Sequence, residues 1–180
     1  MLSDPERTLE RLSDRAEIYD LLTSYFCAID GRDRETVLAL FTDDAHLAIN
    51  GQHAATGRNA IEAFLGTGRA ARGAGVSPTS IRMSHHIMGA PTIAVHGDTA
   101  STETYAVAHL ILGDTEEDST VVVRGLRYMD ELRRTEHGWW IYDRLHTGDF
   151  GMELPALYAT TYEDRLTRPS WSAAATRPPR

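Results

Sequence analysis

"TASTETYAVAHLILG", residues 99–113, decides the fold. Successive side chains of a strand point to opposite faces. One face therefore carries Ser101, Glu103, Tyr105, Val107, His109 and Ile111, and the other Ala100, Thr102, Thr104, Ala106, Ala108 and Leu110. The second face is built from small side chains and can lie under helices, whereas Tyr105 and His109 share the larger-residue face.

The flanking segments extend this strand into an antiparallel meander. "IRMSHHIMGAPTIAV" (81–95) runs into the turn "HGD" (96–98) before it, and the acidic loop "DTEEDS" (114–119) follows it. Then come "TVVVRGLRYMDELRR" (120–134), the turn "TEHG" (135–138) and "WWIYDRLHTGDF" (139–150). The first half is helical. From Asp14, Ile18, Leu21, Leu22, Tyr25, Phe26 and Ile29 form one apolar stripe at helical spacing. Asp14 with Glu17 is read as a capping box at the start of this helix, Gly31 as its stop and Asp30 as its last residue.

A second short helix follows over "DRETVLALF" (33–41), then a first strand in "AHLAINGQ" (45–52) up to a turn at Gly51. A third helix carries Ile61, Phe64 and Leu65 and dissolves into a Gly- and Ala-rich loop around residues 66–78. Helices first and a meander after describe an α+β domain. The chain divides into an extension over 1–13, a domain over 14–150 and a tail over 151–180. The tail holds a helix in "LPALYATTYEDRL" (154–166) and a Pro-rich end expected to be disordered.

At 180 residues and 42% hydrophobic content the chain fits one domain with a substantial core. Lys+Arg 18 against Asp+Glu 26 gives a net charge of −8, which argues against a nucleic-acid groove or an anionic membrane surface as partner. A small molecule is the expected ligand. The single cysteine, Cys27, excludes an internal disulfide and a thiolate metal site, and is read as a core side chain. No segment approaches the length of a membrane span, so a soluble, cytoplasmic protein is expected.

The polar residues bordering the apolar segments carry the chemistry. Asp30 continues the ridge Leu22–Phe26–Asp30, so its carboxylate borders the buried stripe at a helix C-terminus. The helix dipole and partial burial would both push its pKa up. Such a group is a poised base, is held by a cation, or merely helps the helix stop. Of the adjacent histidines His85 and His86, at most one faces the interior. In the last strand Trp140, Tyr142, Arg144 and His146 alternate with Trp139, Ile141, Asp143 and Leu145, which leaves Arg144 a surface cation or an anion holder. No H-E-x-x-H or cysteine cluster is present, so no metal site is expected, and the G-x-S-x-G, Walker A and dinucleotide glycine patterns are absent as well. Carboxylate and imidazole near an apolar interior suit proton transfer at carbon or oxygen.

Three stretches together, "YFCAIDGRDRETVLALFTDDAHLAING", "SHHIMGAPTIAVHGDTASTETYAVAHL" and "RGLRYMDELRRTEHGWWIYDRLHTGDF", resemble the SnoaL-like branch of the nuclear transport factor 2-like superfamily. The pattern is nearest to scytalone dehydratase, bile-acid 7α-dehydratase and hexachlorocyclohexane dehydrochlorinase. The resemblance covers roughly Asp14 to Phe150. It implies a cone-shaped α+β barrel, in which N-terminal helices wrap a curved antiparallel sheet around a deep apolar pocket.

The resemblance also implies cofactor-independent lyase chemistry. Carried over residue by residue, Asp30 orients His86, and His86 takes a proton from carbon while hydroxide or halide departs. Tyr25, five residues before Asp30, matches a family tyrosine. His109 and Arg144 match polar pocket positions, and Ala90 stands where many members carry Asn. Tyr25 and His109 would hold or protonate an oxygen, and Arg144 would hold polar substrate groups or pair with an internal carboxylate. Phe26, Leu22, Tyr105 and Val107 would edge a pocket for a hydrophobic cyclic substrate.

An isomerase or polyketide-type cyclase using the same pocket, and a noncatalytic binding protein of the same fold, are the alternatives. A noncatalytic subunit like the small subunit of aromatic-ring dioxygenases is a third. A homo-oligomer is expected, a trimer ahead of a dimer, through the exposed sheet face.

Overall fold

The computed structural model describes residues 5–66, 81–113 and 119–156. The elements run α1 (Pro5–Gly31), α2 (Arg34–Ala39), β1 (Phe41–Ile49), β2 (Gln52–Thr56), α3 (Arg58–Gly66), β3 (Ile81–Met88), β4 (Thr92–His96), β5 (Thr99–Leu112), β6 (Thr120–Thr135) and β7 (Gly138–Pro155). The Gly- and Ala-rich loop after Gly66 and the expected tail helix beyond Ala156 lie outside the described residues.

Seven strands form one open sheet in the order β2-β1-β7-β6-β5-β3, with β4 also paired to β5. The fold is the expected α+β class, a curved sheet with helices on one face. It departs from a purely antiparallel sheet at one place. β1 and β7 pair in parallel, with Leu47 opposite Arg144 and Ile49 opposite His146. The chain between these strands passes through α3 and the whole meander, long enough for the crossover that a parallel pair requires.

α1 packs its stripe against β3, β4 and β7. Ile18, Leu22 and Phe26 are buried, as are Leu21 and Tyr25. The helix begins at Pro5 rather than Asp14. Asp14 does not cap it: the side chain is buried, accepts a hydrogen bond from Trp139 Nε1 at 3.2 Å and pairs with Arg134 Nη1 at 2.6 Å. These donors outweigh burial and hold the Asp14 carboxyl below the usual range. Gly31 is the last helical residue and Asp30 the one before it. The left-handed turn falls on Arg32, with φ of 56°. Cys27 is exposed, not in the core, because it lies off the apolar stripe.

β1 and β2 form a hairpin through the two-residue turn Asn50–Gly51, both with positive φ, the asparagine–glycine signature of a tight hairpin. The stretch read as a single strand over 81–95 breaks into β3 and β4. Gly89 approaches β5 so closely that a Cβ there would stand 2.9 Å from the Tyr105 carbonyl oxygen, and its N–H donates to that oxygen. Pro91 then has no N–H to continue the ladder.

Strict alternation also fails in β7. Between Ile141, opposite Leu132, and Asp143, opposite Glu131, Tyr142 has no cross-strand partner. This bulge shifts the inward phase by one residue, so Trp139 and Ile141 point inward before it and Arg144 and His146 after it. β7 also continues through Pro155, with Met152 opposite Val123 and Leu154 opposite Val121. Residues 151–155 are therefore strand, and no helix starts at Leu154.

Replacing Asp14 by Ala is expected to lower the unfolding free energy by about 2 kcal/mol in urea titrations, the loss of charge-assisted hydrogen bonds at a buried carboxylate. Cys27→Ser is expected to stay within about 0.5 kcal/mol of the parent.

Candidate active site

The small-residue face of β5 borders a cavity of about 480 Å³. α1 supplies Tyr25 and Ile29 to its wall, β1 Leu47 and Ile49, and α3 Phe64 and Leu65. The sheet supplies Ser84 and His86 from β3, Ala108 and Leu110 from β5, Arg124, Leu126 and Tyr128 from β6, and Arg144 and His146 from β7. The lining is an apolar bowl with convergent polar groups, the usual form of a small-molecule site.

Register places the two histidines. His86 stands opposite Ala108 and His85 opposite His109, so His86 faces the cavity while His85 is exposed on the outer face. Asp30 grips His86 with both oxygens. Its Oδ2 accepts the His86 backbone N–H at 2.7 Å, and its Oδ1 accepts from ring Nδ1 at 2.7 Å. Burial pushes the Asp30 carboxyl up, as the sequence suggests. The His86 ring and backbone donors, with Ser84, outweigh it, and the carboxyl lies below its usual range. A carboxylate can only accept, so Nδ1 carries a proton and the neutral ring keeps a lone pair on Nε2. Phe26 packs behind the pair, its ring centroid 5.7 Å from that of His86 and 5.1 Å from that of Tyr128.

Arg144 is wholly buried. It makes a two-pronged contact with Asp130, Nε to Oδ1 and Nη2 to Oδ2, both at 2.7 Å. Burial disfavours its charge, but Asp130 outweighs burial and keeps it protonated. Its guanidinium lies 3.9 Å from the Tyr25 ring centroid and 5.1 Å from that of Tyr128. Nη1 has no hydrogen-bond partner among the described residues. Of the two roles expected for Arg144, the structure shows the pairing with an internal carboxylate.

His146 stacks on Tyr128 with centroids 4.6 Å apart and planes 2° from parallel. Burial, reinforced by the positive charges of Arg124 and Arg144, pushes its pKa down to about 3. Burial also pushes the Tyr128 hydroxyl far above its usual range, so it stays a neutral donor.

The structure thus brings Tyr25, Asp30, His86 and Arg144 together, with Phe26 behind them. Tyr105 and His109 do not join them. They share the outer face of β5, where Tyr105 is exposed under the Arg127 guanidinium and the His109 ring lies 5.8 Å from His85. Val107 shares that outer face, and Leu22 is in the core. The bulkier face of β5 is the outer one because a cavity needs the small face: Ala108 leaves volume that a larger side chain would fill. Ala90 lies exposed in the break between β3 and β4.

Arg124, Tyr128, Asp130 and His146 are cavity-side residues that the sequence reading did not single out. The signal for three of them is the even spacing of Arg124, Leu126, Tyr128 and Asp130, which puts them on one face of the strand.

Asp130→Ala strands a buried guanidinium and is expected to cost about 3–5 kcal/mol in denaturant titrations. His146 supplies a pH prediction. Its folded pKa lies below the unfolded value of 6.5, so only the unfolded chain takes up this proton as pH falls from about 6.5 towards 3. Stability falls over that window, and His146→Gln is expected to flatten the slope by one proton's worth in acid-unfolding measurements.

A family model described as a SnoaL-like domain matches residues 10–145. An uncharacterized protein of Mycobacterium tuberculosis is 31% identical over 145 residues, covering 79% of this chain and 90% of its own. The crystal structure of a nuclear transport factor 2-like protein with a cystatin-like fold from Novosphingobium aromaticivorans is 25% identical, covers 92% of this chain and 95% of its own, and superposes with a TM-score of 0.64. A hexachlorocyclohexane dehydrochlorinase of Novosphingobium barchaimii shares the fold at 17% identity, covering 85% of this chain and 98% of its own with a TM-score of 0.67. With the match spanning the helices and most of the sheet that build the cavity, this chain belongs to the SnoaL-like domain family.

Proposed function

We propose that the chain is a cofactor-independent lyase that eliminates hydroxide or halide from a hydrophobic cyclic molecule, with His86 as general base and Asp30 as its positioning partner. The observation that carries this reading is the double contact of Asp30 with His86 at the wall of the cavity. Fixing Nδ1–H leaves Nε2 as the acceptor for a carbon-bound proton. As the C–H bond breaks, its electron pair becomes the new C=C bond, and the leaving group departs with the electrons of its own bond. Asp30 stabilises the imidazolium that results. The Tyr25 and Tyr128 hydroxyls are the donors for the departing group, and Tyr128 stays protonated throughout the ordinary pH range.

The family's fold supports the setting, and the likeness to a dehydrochlorinase supports the reaction class. An isomerase or cyclase would use the same base without loss of a group, so product analysis separates these readings.

The outer face of the sheet supports a homo-oligomer. Ile87, Tyr105, Phe150, Met152 and Leu154 are all exposed there, and their cross-strand register places them on one side. A second copy of the chain is the occupant this apolar surface fits.

The test starts from a ligand carried through purification, identified by native mass spectrometry and offered as substrate. His86→Ala is expected to lower kcat/KM by about 100-fold to 10,000-fold, and Asp30→Asn by at least about tenfold. Unchanged turnover in both variants rules the pair out as the catalytic unit. Tight binding without turnover by the parent protein identifies a binding module instead.

A further inference from the structure

Arg124 is a charged cavity group that the lyase reading does not use. Its neighbours in the cavity wall are engaged: Arg144 by Asp130, and Arg32 by the Ile81 and Arg82 carbonyl oxygens. Arg124 makes no ion pair or hydrogen bond among the described residues, although it is partly buried and lines the cavity. Among the described residues, the groups facing it do not compensate its charge. Tyr128 is held neutral by burial, and His146 is neutral down to about pH 3. Beneath it, Gly148 keeps the space open, since a Cβ there would stand 3.4 Å from Arg124 Nη2.

Register fixes where this cation lies relative to His86. His86, Ala108 and Arg124 form one cross-strand row over β3, β5 and β6. Arg124 is therefore two strands from His86, about 10 Å along the row, and between them stands only the methyl group of Ala108. That span admits one or two fused rings and a carboxylate.

We propose that Arg124 is an anion subsite and that the ligand is a cyclic carboxylate, its ring over Ala108 and its carboxylate on the Arg124 guanidinium, opposite His86. The inference rests on the reading above for the role of His86, and it names the substrate class of that site. A planar guanidinium matches a carboxylate through two parallel hydrogen bonds, and a single cation balances a single negative charge. A cation partly withdrawn from water without a partner is costly, and a bound carboxylate removes that cost. The net charge of −8 gives no general attraction for anions, so selection falls to this one side chain.

The test compares 2-naphthoate with the near-isosteric neutral 2-naphthamide by calorimetric titration of the full chain at neutral pH. The naphthoate is expected to bind at least about tenfold more tightly. Arg124→Gln is expected to bind both alike with the amide's Kd unchanged, and Arg124→Lys to keep part of the preference. Because no salt partner among the described residues is lost, Arg124→Gln is also expected to melt no lower than the parent. Equal affinity, no binding of either compound, or a preference that survives Arg124→Gln overturns the proposal. So does a clear fall in Tm for Arg124→Gln, which would show the guanidinium paired within the chain. Binding is read without turnover, so the two readings fail separately. An acid preference that survives His86→Ala in a protein that turns over no ring substrate leaves the subsite standing and removes the lyase.

Discussion

The contact between Asp30 and His86 joins two requirements that usually pull apart. β3 is an edge strand, and an edge leaves backbone N–H groups unpaired. The His86 N–H is one of these, and Asp30 Oδ2 accepts it at 2.7 Å. The same carboxylate takes the ring proton through its other oxygen. One side chain at the end of α1 therefore holds the sheet edge to the helix and sets the tautomer of the imidazole. The anion needs both donors, because the helix C-terminus and burial each disfavour a bare carboxylate there. The end of α1 is consequently placed by the same interaction that prepares the base.

The opposite wall follows a different logic. Arg144 and Asp130 are both buried and complete most of each other's hydrogen bonding. A buried ion pair adds little net stability, since desolvation offsets attraction. Its consequence here is positional: the guanidinium forms a rigid platform under the Tyr25 and Tyr128 rings. The bulge at Tyr142 makes this wall possible, because without the phase shift Arg144 and His146 would point outward. The cavity thus lies between a carboxylate–imidazole pair on the α1 and β3 side and a neutralised cation on the β6 and β7 side.

Much of this was legible in the sequence where a single period ran unbroken. The apolar stripe of α1 and the β5 alternation depend on local periodicity alone, whereas alternation says only that one of His85 and His86 faces inward and the family resemblance picks His86. The start of α1 did not, because residues 5–13 carry no apolar stripe to mark them as helix. β2 is too short and polar for its pattern to register. The inward turn of Arg144 and His146 was hidden by the bulge, which adds a residue to one strand only and leaves no mark in composition. The resemblance carries His109 into the pocket and the sequence offers Tyr105 as its edge, but both stand on the larger-residue face of β5, whereas the cavity forms over the smaller one. The same inversion concealed Arg124 and Tyr128, which face Ala108 and Thr104 across the ladder. Parallel pairing of β1 with β7 is set by the crossover path, and local sequence does not encode it.

The central claim is that Asp30 fixes His86 with its proton on Nδ1, leaving Nε2 as the base. Nitrogen NMR of the imidazole at neutral pH reads this directly. The account predicts that the neutral imidazole of His86 carries its proton on Nδ1, and that Asp30→Ala abolishes that preference while other histidine signals stay in place. A His86 signal with Nε2 protonated, or one unaffected by Asp30→Ala, would contradict it.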